Sequence, residues 1–153
     1  MSQNPYSNNV LLNLGIQSLN KMQEVAQNAI LNEDNILLLS PTGSGKTLAF
    51  LLPIFQLLEE EVKGVQCLIL VPSRELGLQI EQVWKKMGTH YKVNTCYGGH
   101  SIDIEINNLS NPPALLIGTP GRIADHLDRG SFATDNIKTS VLDEFDKSLQ
   151  LGF

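Results

Sequence analysis

Cysteine is scarce. The 153-residue chain holds only Cys67 and Cys96, each inside an apolar stretch, which excludes a disulfide framework and a thiolate metal pair and leaves two buried thiols. Long apolar runs are also missing. No segment approaches the length of a membrane span, and the polar start Met1 to Asn9 lacks the basic-then-apolar pattern of a signal peptide, so the expectation is a soluble, cytoplasmic protein with no membrane partner. Positive charge is in deficit, since 11 Lys and Arg face 16 Asp and Glu for a net charge of −5. That excludes a broad basic face and confines any nucleic-acid contact to a local patch. Aromatic residues are few, and the lone Trp84 reads as a packing residue on a helix rather than a base-stacking platform. His90, His100 and His126 have no metal-ligand spacing among themselves or with Cys and Asp, and read as surface residues.

What is present is a regular alternation. With 42% hydrophobic residues, the chain can bury the core of one compact domain. Apolar residues at helical spacing from Val10 to Leu31 predict two helices split at Gly15. The short apolar run Ile36 to Leu39 predicts a strand, Pro41-Thr42-Gly43 a turn, and Leu48 to Leu58 a helix. The pattern then repeats. Gln66 to Val71, Val93 to Tyr97, Ala114 to Gly118 and Val141-Leu142 read as strands, separated by helices over Arg74 to Met87, Ile102 to Leu109 and Gly121 to Leu127. Short apolar strands joined by helical crossovers imply an α/β fold, a mostly parallel sheet with helices on both faces, whose ligands bind at the carboxyl ends of the strands.

Two motifs at strand ends carry chemistry. Ser40-Pro-Thr-Gly-Ser-Gly-Lys46-Thr47 lies between an apolar run and a helix, the context a Walker A phosphate loop requires. Gly43 and Gly45 let backbone N–H groups turn toward phosphate oxygens, with Thr42 and Ser44 completing the cradle, and the helix start adds its positive dipole end. Lys46 would reach the β and γ phosphates, and the Thr47 hydroxyl would ligate Mg²⁺. Ser40 stands where the loop's first glycine is usual. Further on, Val141-Leu142-Asp143-Glu144-Phe145-Asp146 places two carboxylates directly after a strand. Asp143 would hold Mg²⁺ and Glu144 would polarise the water attacking the γ-phosphate, while Asp146 gets no role.

From about Gly15 to Phe153, the chain resembles the DEAD-box RNA helicases in the family's own motif order. Gly43 to Ile54 looks like motif I with its helix, including the helical Pro53; Val71-Pro-Ser-Arg-Glu-Leu76 resembles motif Ia; Gly98-Gly99 resembles the double-glycine turn; Thr119-Pro-Gly-Arg122 resembles motif Ib. Asp143 to Asp146 stands where the family has Asp-Glu-Ala-Asp, with Phe145 for alanine. The resemblance implies a RecA-like P-loop domain that binds ATP or ADP with Mg²⁺ and single-stranded RNA backbone. On the residues alone, Thr119 can cap a helix beginning at Pro120, and Pro72-Ser73 stand in the same relation to the helix from Arg74. Pro72, Ser73, Arg74, Gly98, Gly99, Thr119, Pro120, Gly121 and Arg122 would form a track for sugar-phosphate oxygens, giving position without sequence reading. Standing apart from this reading are a nucleotide or RNA-binding module without turnover, and the motor domain of another P-loop helicase class. The Pro-Ser-Arg-Glu-Leu and Thr-Pro-Gly-Arg segments argue against the motor.

Two departures from the family pattern set further expectations. Residues 15 to 23 keep the glycine and glutamine of the adenine-reading Q motif, so Gln23 is expected to hydrogen-bond adenine. Leu19 and Asn20 replace its Pro-Thr pair and Ile16 its frequent aromatic, which predicts weak stacking and lax ATP selectivity. No Ser-Ala-Thr motif or second-domain motif follows Phe153. The chain therefore reads as a fragment whose catalytic partner is the C-terminal RecA-like domain of the same enzyme. Without that domain's arginines, worth roughly 10³ to 10⁵ in rate, it should turn over ATP slowly and not unwind. The Ser-Ala-Thr strand belongs between the phosphate-loop strand and the acidic strand, so its absence is expected to interrupt the sheet.

Overall fold

A computed structural model describes residues 8–152. The expectation for the polar amino terminus lies, up to Ser7, outside them. The chain divides into two compact units, Met1–Leu58 with Lys86–Thr89, and Glu59–Lys85 with His90–Phe153.

The first unit is helical. Helix α1 (Asn8–Leu14) ends at Gly15, whose φ of 71° is the left-handed conformation that stops a helix without strain. Helix α2 (Lys21–Asn32) starts from a reciprocal capping box, in which the Asn20 side chain accepts from the Gln23 N–H and the Gln23 side chain accepts from the Asn20 N–H. Helix α3 (Lys46–Leu57) packs against α2 and is apolar all round, with Ala49 to Ile54 buried in succession. It carries Pro53 in its interior, as the family resemblance implies.

The predicted strand Ile36 to Leu39 does not form. No described segment pairs with it, and Leu37 and Leu39 are more than 80% exposed. Apolar sequence alone does not make a strand, because the ladder needs a partner backbone to satisfy its N–H and C=O groups.

The second unit holds the sheet. Strands β1 (Cys67–Leu70), β2 (Val93–Cys96), β3 (Leu115–Gly118) and β4 (Thr139–Leu142) are all parallel, in the order β2-β3-β1-β4. Central β3 is buried throughout, as a strand covered on both faces must be. Edge strand β4 alternates, with Leu142 half exposed. Helix α4 (Arg74–Met87) covers one face, where Gly77 approaches Thr95 and Ile117. Helices α5 (Ile102–Leu109) and α6 (Pro120–Arg129) cover the other, where Leu109 and Ile123 cluster with Cys96, Leu116, Val65 and Phe132. Neighbouring strand residues point to opposite faces, so Cys96 and Thr95, or Leu116 and Ile117, serve different layers. Each large core side chain contributes about 1.5–3 kcal/mol by burial. A short helix α7 (Phe145–Gln150), not anticipated from sequence, follows the acidic strand.

Candidate functional site

In the first unit, the loop Ser40 to Thr47 is shaped by two left-handed glycines, Gly43 (φ 80°) and Gly45 (φ 86°). Gly45 occupies the N-cap position of α3, and no side chain caps that helix start. The first turn, carrying the half-buried Lys46 and Thr47, thus offers its dipole to an anion. The loop is held from outside. Ser44 Oγ donates to Ser40 Oγ at 3.0 Å, Asn20 Nδ2 to the Ser44 carbonyl at 3.0 Å, and Gln23 Nε2 to the Gly45 carbonyl at 3.1 Å.

Gln23 is therefore no helix-surface residue. It is 6% exposed, and its amide links the start of α2 to the phosphate loop. Asn20, which departs from the family pattern, supplies both the cap and a second tie to the loop.

In the second unit, Asp143 is buried, and its N–H donates to the Leu70 carbonyl at 3.0 Å, extending the β1–β4 ladder by one residue. Glu144 is the only non-glycine residue with positive φ (49°) among the described residues. That conformation costs about 1–2 kcal/mol for an L-residue. Strain of this kind collects where function fixes a side chain's direction. The Glu144 carboxylate pairs with Lys147 Nζ at 2.9 Å, and this contact raises the pKa of Lys147. Asp146 is exposed.

The segments expected to form the backbone track converge within the same unit. The Arg74 guanidinium lies 5.1 Å above the centroid of the Tyr97 ring, and that ring stacks on His100 at 4.6 Å, so α4 meets the turn containing Gly98 and Gly99. Arg122 Nη2 donates to the His100 carbonyl at 2.8 Å, which brings α6 to the same turn. Gly98, Gly99 and Gly121 are exposed with open space around their Cα atoms, and Gly99 has a φ of 93°. Ser73 Oγ accepts from the Leu76 N–H at 3.3 Å, capping α4, whereas buried Pro72 contributes only the helix entry. Thr119 sits at the N-cap position before Pro120, but its hydroxyl makes no capping bond. The expected cap is positional only, with Pro120 starting the helix at N1. Arg122 is mostly enclosed, with its side chain 11% exposed.

Beneath the turn lies a residue the sequence reading passed over. The Glu105 carboxylate is 3% exposed and accepts from the Tyr97 N–H (2.9 Å), His100 Nε2 (2.7 Å) and His126 Nε2 (2.6 Å), with Arg122 Nε at 3.7 Å. Burial raises its pKa, but the bonds from His126, Tyr97 and His100 and the charge of Arg122 outweigh burial and hold it below the usual carboxylate range. Sequence carried a signal for it. Glu105 falls on the apolar stripe of α5 with Ile102, Ile106 and Leu109, where an acid needs partners.

His126 corrects the surface assignment, being fully enclosed, with Nδ1 on Ser131 Oγ at 3.0 Å. Its distant sequence neighbours hid the contact. Cys96, Glu105 and His126 also bring ligand atoms within 4.8 Å of one another, a grouping that sequence spacing did not show. Burial, with the Glu105 charge beside it, pushes the Cys96 thiol up to about 12. Cys67 is a buried free thiol, pushed to about 12 by burial. Trp84 is enclosed, and its indole N–H donates to the Tyr91 carbonyl at 3.2 Å. Among the described residues, no helix is long and apolar enough to cross a membrane.

Known proteins align with this arrangement along nearly the whole chain. Residues 20–153 match the family model for the DEAD/DEAH box helicase. The ATP-dependent RNA helicase DeaD of Escherichia coli is 38% identical over 146 residues, which is 94% of this chain and 23% of that protein. The ATP-dependent RNA helicase CshA of Limosilactobacillus reuteri is 38% identical over 141 residues, 91% of this chain and 28% of that protein. The chain thus spans about a quarter of the length of these relatives. Among solved structures, a DEAD box protein from the hyperthermophile Methanococcus jannaschii superposes with a TM-score of 0.89 at 35% identity, covering 99% of this chain and 42% of that one. The yeast DEAD-box splicing factor Prp28 gives 0.84 at 32% identity, covering 94% and 36%. With the motifs in family order and the RecA-like parallel sheet shared with these structures, the chain belongs to the DEAD/DEAH box helicase family.

Proposed function

We propose that this chain is the ATP- and RNA-binding part of a cytoplasmic ATP-dependent RNA helicase. The observation that carries the reading is the phosphate loop, with Gly43 and Gly45 left-handed at the uncapped start of α3 and Lys46 and Thr47 in its first turn. Thr42 to Thr47 bind the nucleotide phosphates, with Lys46 on the β and γ groups. The Thr47 hydroxyl and Asp143 carboxylate are hard oxygen donors of the kind Mg²⁺ takes. These two residues would hold the ion, whose charge would offset that of the phosphate oxygens. Glu144, its direction fixed by the left-handed backbone, orients the attacking water. Gln23 keeps one amide hydrogen and one carbonyl lone pair beyond its bonds to Gly45 and Asn20, enough to hydrogen-bond adenine.

Single-stranded RNA backbone lies along Ser73, Arg74, Gly98, Gly99 and Thr119 to Arg122, read for position and not for sequence. On this reading hydrolysis and strand separation also draw on a second RecA-like domain, whose arginines would stabilise charge at the γ-phosphate. The test is steady-state ATP turnover by this chain with and without single-stranded RNA, alone and after adding the second domain. Slow turnover that rises with RNA only when both domains are present is expected. Brisk turnover by the chain alone would overturn the division of labour.

A further inference from the structure

We infer that Glu105 is a positioning residue for the RNA interface: from below, its carboxylate sets the shape of the Gly98-Gly99 turn and the place of Arg122. This inference rests on the reading of that interface given above.

A carboxylate that is 97% enclosed is costly unless its oxygens are fully engaged. Its engagements are not scattered. Oε1 takes the Tyr97 N–H and His100 Nε2, the residues that bracket Gly98 and Gly99. Oε2 faces His126 Nε2 and Arg122 Nε, both on α6. Arg122 Nη2 returns to the His100 carbonyl, closing a ring of turn, carboxylate, guanidinium and turn. The ring is anchored at its far side, where buried His126 holds Ser131.

A Cβ built on either glycine would meet nothing within 4 Å, so the turn is open on that side. Both residues flanking the turn are tied to the same Glu105 oxygen, which sets the separation of its two ends. A phosphate chain crossing the turn meets amides and a guanidinium edge whose positions are set in advance, which spares the ordering cost of binding. Charge-assisted bonds to a buried group are the strongest available for this purpose.

The test is a double-mutant cycle on this chain, read by titrating ¹⁵N-labelled protein with a short single-stranded oligouridine. In the wild type, the Gly98 and Gly99 amide signals should shift on RNA addition. Glu105→Ala should weaken RNA binding about tenfold, as loss of a charge-assisted bond implies, and Glu105→Gln about threefold, since the amide keeps the Tyr97 contact and a donor toward His126. Arg122→Ala should cost about tenfold in the wild type but under about twofold in the Glu105→Ala background, because both act through one ring. Additive losses, or a Glu105→Ala protein that binds as the wild type does, would overturn the inference and leave the interface standing. If the glycine signals stay still in wild type, the interface reading itself fails. Should Glu105→Ala not fold, Glu105→Gln carries the same cycle, with coupling to Arg122 as the deciding result.

Discussion

The phosphate loop permits a sharp comparison between its two left-handed glycines. A Cβ at Gly45 would lie 2.5 Å from Gln23 Nε2, whereas a Cβ at Gly43 would meet nothing within 4 Å. Both positions have φ near +80°, so alanine at either costs about 1–2 kcal/mol of backbone strain. Gly45→Ala must in addition push the Gln23 amide away, losing its bond to the Gly45 carbonyl and disturbing the capping box of α2, for about 0.5–1.5 kcal/mol more. Gly43→Ala should therefore lower the melting temperature by roughly 2–8 °C, and Gly45→Ala by roughly 3–14 °C, at about 2–4 °C per kcal/mol for a chain of this size.

The added term depends on Gln23, so Gln23→Ala with Gly45→Ala should destabilise by less than the sum of the two. Differential scanning calorimetry of the four variants and wild type settles the matter. Equal losses at Gly43 and Gly45, or strict additivity with Gln23, would refute the claim that Gln23 supports the loop.

Two further outcomes follow from titrating groups. Glu105 has its pKa held below its unfolded value, so its contribution is present above about pH 4.3 and drains away as pH falls through the folded value. Urea midpoints between about pH 5 and pH 3 should fall more steeply for wild type than for Glu105→Gln; parallel slopes would contradict the assignment. Cys67 and Cys96, with thiols pushed up to about 12, should resist a disulfide reagent at neutral pH in the folded chain and react on unfolding, and rapid labelling without urea would show that they are not enclosed.

How much of this was legible in the sequence depends on how local each cause is. Helices α4 and α5 have the bounds the spacing gave, Arg74–Met87 and Ile102–Leu109, because amphipathic stripes and their ends are local signals. Strands β1 to β4 and their parallel pairing follow from short runs joined by helical crossovers. Ile36 to Leu39 failed because a strand depends on a partner elsewhere in the chain. Helix α7 escaped because its six residues follow directly on the acidic motif, which dominated the reading of that stretch. At the site, the loop and the carboxylates are visible as motifs, whereas the Glu105 ring joins residues from 97 to 131 that share no spacing rule. Asn20 looked like a loss from the family pattern, yet it caps α2 and ties down Ser44.

If the loop holds nucleotide phosphates through Lys46, removing its ammonium group must weaken binding without unfolding the chain. Calorimetric titration of wild type and Lys46→Ala with Mg-ATP and Mg-ADP tests it most directly, with circular dichroism to verify that both are folded. Binding by the wild type and a loss of roughly 10- to 100-fold in the variant are expected, the range for a charge-assisted phosphate contact. Unchanged affinity in a folded Lys46→Ala protein would contradict it.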